Sequence, residues 1–152
     1  MKFFLTALIV VLFNSGCTTK NAFTKLNLTH EQKRAVEHIQ NGKIMNGTSV
    51  EAIYSVMYLN GADKNIQRTD NEFYIALYRK NDTLDLNITM NEQAALDIEK
   101  VASDNEYSDL LSTQYIWSRN YKVTFENNGT KNISLQIGTG PFLSAPLMFV
   151  KD

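Results

Sequence analysis

Cysteine, histidine and proline are scarce in this chain: of 152 residues, one is Cys, two are His and two are Pro. A single thiol excludes an internal disulfide framework and any metal site built from several cysteines. The two histidines, His30 and His38, are about two turns apart on one helix and lack the i, i+4 pairing of zinc-binding helices. An excess of one charge is also lacking. Lys and Arg number 15 against 16 Asp and Glu, so no global field recruits nucleic acid, and the cations do not cluster among the aromatics. No Gly-x-Ser-x-Gly elbow is present, and no carboxylate pair has a spacing special to glycosidases. Asp63-Lys64-Asn65 lacks the alternating ligands and fixed Gly of a calcium loop. Read from its residues, the chain is not an enzyme: it nominates no catalytic set, metal, cofactor or small-molecule substrate.

What is present begins at the N-terminus. Lys2 is followed by an apolar run from Phe3 to Phe13 and then by Asn14-Ser15-Gly16-Cys17. One charge, a short apolar stretch and small residues form the layout of a secretory signal, too short for a comfortable membrane-spanning helix. With the only cysteine at the cleavage point, the segment resembles the bacterial lipoprotein signal, in which that cysteine is lipidated and becomes the new N-terminus. Asn14 departs from the pattern, where an apolar residue is preferred. The resemblance implies a signal peptide over residues 1–16, a lipidated Cys17 with a tether to residue 28, and one domain over 29–152. Thr18 in place of Asp implies, by the same resemblance, the outer membrane, with the domain facing the periplasm.

Periodicity then sketches the domain. Thr29 and Gln32 have the spacing of a capping box, predicting a helix to about Asn41. Thr48 and Glu51 repeat that spacing, and Val50, Ile53, Tyr54, Met57 and Tyr58 recur at helical intervals up to Asn60-Gly61. The run Phe73–Tyr78 reads as a strand covered on both faces, and Leu84, Leu86 and Ile88 as a half-buried one. Asn91 is a cap for a further helix carrying Ala94, Ile98 and Val101. Tyr121, Val123 and Phe125 alternate with polar residues, as do Ile133, Leu135 and Ile137, and Asn128-Gly129 between them signals a type I′ hairpin. The expected fold is therefore α+β: two N-terminal helices packed on an antiparallel sheet of hairpins, with one further helix inserted. Its expected core is Val50, Ile53, Met57, Phe73, Ile75, Leu77, Val123, Phe125, Ile133 and Leu135.

The stretch from Ile39 to Ile53, with Gly47, Ser49 and Ile53, and the later Tyr121–Phe125 and Asn128-Gly129, resembles the SmpA/OmlA family of small lipoproteins in the outer-membrane β-barrel assembly machinery. Thr48 stands where that family has Met, and residues 84–111 would be an insertion. The resemblance implies two helices on a three-stranded sheet and a non-catalytic accessory or scaffold role in envelope or β-barrel assembly, bound to the membrane through Cys17 and to another envelope protein. A lipoprotein that inhibits a toxic or foreign enzyme, an immunity protein, is the other reading. The C-terminal group Phe142, Leu143, Leu147, Met148 and Phe149, in a segment that holds both prolines, is the candidate partner-binding segment, or else a covering tail.

Overall fold

A computed structural model of the chain describes residues 29–64, 66–110 and 117–151. The signal, Cys17 and the tether lie outside the described residues. The first expected helix forms and is short: α1, His30–Glu37, buries only Ala35. Its capping box is made as the sequence predicts, with the Gln32 N–H donating to the Thr29 hydroxyl at 3.2 Å and the Thr29 N–H to the Gln32 side chain at 2.9 Å.

After His38 the chain becomes β1 (Ile39–Asn46), which pairs antiparallel with β2 (Ser49–Tyr58). The second expected helix is this strand. Its residues fit a helical stripe, but Ala52, Tyr54, Val56 and Tyr58 also fit a period of two. With many β-branched and aromatic residues and pairing on both sides, the strand wins. Gly47, read as part of a helix start, has φ +58 at the first central position of the two-residue turn joining the strands. A single turn of helix, α2 (Leu59–Ala62), leads to a loop and then to β3 (Asn71–Arg79).

The remaining strands are β4 (Leu86–Met90), β5 (Gln93–Ala94), β6 (Asp97–Val101), β7 (Arg119–Phe125), β8 (Asn132–Thr139), β9 (Phe142–Leu143) and β10 (Leu147–Val150). They complete two antiparallel sheets, one ordered β1-β2-β3-β7-β6 and the other β10-β8-β4-β5, with β9 also on β8. The expected helix after Asn91 is instead a turn and a corner. Asn91 and Glu92 have φ +50 and +67, the doubly positive pattern of a type I′ turn between β4 and β5. The Asn91 side chain locks that turn by accepting the Ser134 N–H at 2.8 Å. Beyond it, β5 and β6 belong to different sheets, so the chain crosses from one to the other.

The Asn128-Gly129 hairpin is also corrected. Strands β7 and β8 are not partners; each lies in a different sheet. Tyr121, Val123 and Phe125 meet Ile133, Leu135 and Ile137 across the core, and strands that face each other through their side chains cannot share a hydrogen-bond ladder. Gly129 keeps a positive φ of +73, inside a loop tied by Asn127 and Asn128, whose side chains accept the Gly129 and Thr130 N–H groups at 3.2 Å.

The α+β expectation therefore gives way to a two-sheet sandwich with two short helices among the described residues. Its main core lies between the sheets, and Phe73, Ile75, Leu77, Val123, Phe125, Ile133 and Leu135 are in it as expected. Met57 is buried on the opposite face, with Tyr74 and Ala76, beneath Ala35, Leu59, Ala62 and Tyr107. Val50 and Ile53 are exposed, because the strand register turns Ile53 to the face the helices leave open.

Candidate functional site

The helices cover one end of the first sheet's outer face, and the loop after α2 forms a cleft beside them. Arg68 organises that loop. Its Nη1 donates to the carbonyls of Asp63 at 3.0 Å and Leu59 at 3.3 Å, and its Nε to Glu72 at 2.8 Å. One guanidinium thus meets the Asp63 carbonyl and adds a second bond to the Leu59 carbonyl, which also accepts the Asp63 N–H at 3.0 Å. Asn60 fastens the start of β3 by accepting the Glu72 N–H at 2.9 Å and donating to Asp70 O at 2.7 Å. Asn127, from the β7–β8 loop, donates to Thr69 O at 3.1 Å and accepts from Lys151 Nζ at 2.7 Å. Three distant segments meet there, leaving a cleft of about 460 Å³ lined by Tyr58, Asn60, Gly61, Lys64, Ile66, Arg68, Asn71, Asn127 and Lys151.

Its electrostatics are one-sided. The described lining carries Lys64, Arg68 and Lys151 and no carboxylate. Arg68 is held from behind by Glu72 and by Asp63, whose carboxylate is 3.7 Å from Nη2; that nitrogen has no hydrogen-bond acceptor among the described residues. Glu72 also meets Lys122 at 3.1 Å. Burial lowers the affinity of Lys122 for its proton, but the hydrogen bond and charge of Glu72 outweigh it, so its pKa is raised. Lys151 differs: burial pushes its pKa down, and its ammonium donates to the neutral amide oxygen of Asn127.

A second feature lies on the open end of the same sheet. Ile53 and Tyr78 are cross-strand partners, and with Trp117 and Ser118 they border a shallow hollow of about 120 Å³ with a mainly apolar lining. Trp117 is 64% exposed, Ile53 47% and Tyr78 38%, a large apolar display for one small area. Lys43, opposite Ile53 on β1, supplies an exposed cation beside it.

Of the residues singled out from sequence, Cys17 lies outside the described residues. The C-terminal group is divided by the alternation of β10: Leu147 and Phe149 point into the core, and Met148 points outward. Phe149 packs edge-on against Phe73 at 5.4 Å. Phe142 is half-buried against the core and Leu143 is exposed. His30 sits in the first turn of α1, and the His38 ring lies over Gly61. Lys64, Arg68, Lys151 and Trp117 were not singled out. No local pattern marks them, since the cleft draws on three separate parts of the chain. The class of protein defined here is an antiparallel β-sandwich with a cationic cleft and an apolar hollow. Comparison with known protein families, with characterised proteins and with solved structures finds no match to the chain.

Proposed function

We propose that this is a lipid-anchored protein of the bacterial outer membrane, facing the periplasm, whose sandwich acts without catalysis as an accessory subunit that binds another envelope protein. The observation that carries the reading is the hollow ringed by Ile53, Tyr78 and Trp117, because exposed Trp and Tyr around a small apolar depression are the residues that dominate protein interfaces. Its occupant is an apolar side chain of the partner, flanked by an acidic group that meets Lys43. The Ser15-Gly16-Cys17 signal supports the anchor, since several acyl chains on one residue exceed the threshold for stable membrane attachment. The barrel-assembly role came with the SmpA/OmlA resemblance and with two helices on a three-stranded sheet; the sandwich lends it no support. The reading is tested by crosslinking in intact cells followed by purification from membranes. Trp117→Ala should abolish partner recovery without lowering the melting temperature, and Cys17→Ser should release the protein from membranes or leave an unprocessed precursor. Undiminished recovery with Trp117→Ala refutes the docking role. A partner captured only when a toxic enzyme is supplied would make the protein an inhibitor instead.

A further inference from the structure

We propose that the cleft between the α2–β3 loop, the β7–β8 loop and Lys151, the residue after β10, binds a phosphate-type oxyanion, with Lys151 and Lys64 reaching the ligand over Arg68. The site is separate from the apolar hollow.

The lining carries the argument. Lys64, Arg68 and Lys151 share one cleft in which no carboxylate is present among the described lining residues, and the Lys151 ammonium donates to the neutral Asn127 oxygen at 2.7 Å. Like charges brought to one wall repel, and a bound anion would offset that repulsion. Arg68 adds a fixed charge that cannot be lost: its side chain is 3% exposed and is locked by Glu72 and by the loop carbonyls. Its two carboxylate partners, Asp63 and Glu72, do not line the cleft. The Asn side chains in the wall are already committed. Asn60 and Asn127 bond the Asp70 and Thr69 carbonyls, and Asn71 accepts from Tyr58 at 3.1 Å and donates to Glu126 O at 3.2 Å. Recognition there is therefore by charge rather than by a set of directional hydrogen bonds, which suits an oxyanion and not a neutral sugar. At about 460 Å³ the cleft also has room for the group that carries the phosphate.

The position of the cleft suggests a source. Glu31, in the first turn of α1, shares a small cavity with Ala62 and Asp63, so the described residues begin beside the loop that bears Lys64. If Cys17 is lipidated, which is the reading given above, phospholipid headgroups lie within reach of that loop; a soluble phosphate ester needs no anchor.

The test uses the full chain in neutral detergent micelles, titrated by calorimetry with inorganic phosphate and separately with phosphatidylglycerol or phosphatidylcholine added to the micelles. Saturable binding of inorganic phosphate, reduced about tenfold in Lys151→Gln and retained in Lys151→Arg, supports the proposal with a free phosphate ligand. Binding of phosphatidylglycerol but not of phosphatidylcholine, with the same Lys151 dependence, supports it with a headgroup as the source. Unchanged melting temperatures separate loss of the site from loss of the fold, and Lys64→Gln serves if Lys151→Gln does not fold. No binding of either probe, or binding equal in wild type and in the Lys64→Gln, Lys151→Gln double variant, overturns it. Partner capture at Trp117 is a different readout at a different face, so either claim can fail alone.

Discussion

Tyr54 lies across Gly42 on the neighbouring strand, and that contact makes the sandwich testable at one atom. The two residues are cross-strand partners, and a Cβ added to Gly42 would stand 2.3 Å from the Tyr54 hydroxyl oxygen and 2.6 Å from Cζ. Ordinary contacts are about 3.5–4.0 Å, so the ring tip must move by more than about 1 Å. It has little space to do so, because Tyr54 is buried in the main core. Overpacking of this kind costs about 1–3 kcal/mol. Against this stands a gain of about 0.4–1 kcal/mol from reduced freedom of the unfolded chain. The φ of Gly42 is not positive, so alanine fits the backbone and the clash alone decides the sign. Gly42→Ala should therefore lower stability by about 1 kcal/mol in urea unfolding. In a Tyr54→Ala background the same change should be neutral or stabilising, giving a coupling of about 2 kcal/mol in the double-mutant cycle. Additive effects, or a stabilised single variant, would refute the packing described here.

Three further outcomes follow from other parts of the structure. Phe149→Ala should cost about 3–5 kcal/mol, and Met148→Ala about 0.5 kcal/mol or less, because only the former faces the core; equal losses by denaturant unfolding would contradict the register of β10. Glu92 holds φ +67 at an exposed turn position, so Glu92→Gly should raise stability by up to about 1 kcal/mol, and a clear loss would argue against the type I′ turn. In alkali, burial raises the pKa of Tyr54, Tyr74 and Tyr107, and that of Lys122 is also raised: burial opposes this shift, but Glu72 outweighs it. Because each folded-state value exceeds the unfolded one, the native chain keeps protons that the unfolded chain releases. Stability should be flat up to about pH 10 and then fall as pH rises through the folded values, with a shallower fall in Tyr74→Phe. Stability that rises across that range in denaturant titrations would contradict these environments.

Strands β4, β7 and β8 were legible because each repeats with a period of two, β3 because its aromatic and branched residues fill both faces, and α1 through its capping box. Strand β2 was not, since its apolar residues satisfy both the helical and the strand period and only the register with β1 and β3 selects one. Strand β1 was missed for a related reason: Gln40, Asn41, Gly42 and Lys43 have little strand preference and are held by pairing with β2. The Asn128-Gly129 signal fell in the loop between β7 and β8 and not in a type I′ hairpin, because a loop can join two sheets as well as two neighbours. The cleft lay beyond sequence reasoning altogether. Lys64 and Lys151 belong to distant parts of the chain, and only the sandwich topology brings them to one side.

Site-specific photocrosslinking in intact cells tests the central claim most directly, with the photoreactive residue placed in turn at Ile53, Tyr78 and Trp117, and at the exposed control positions Asp97 and Glu126. An anchored accessory subunit should give one discrete membrane-protein adduct from the three hollow positions. The adduct should be absent at the controls and lost when Cys17→Ser is introduced. Adducts of equal yield from the controls, or none from the hollow, would contradict it.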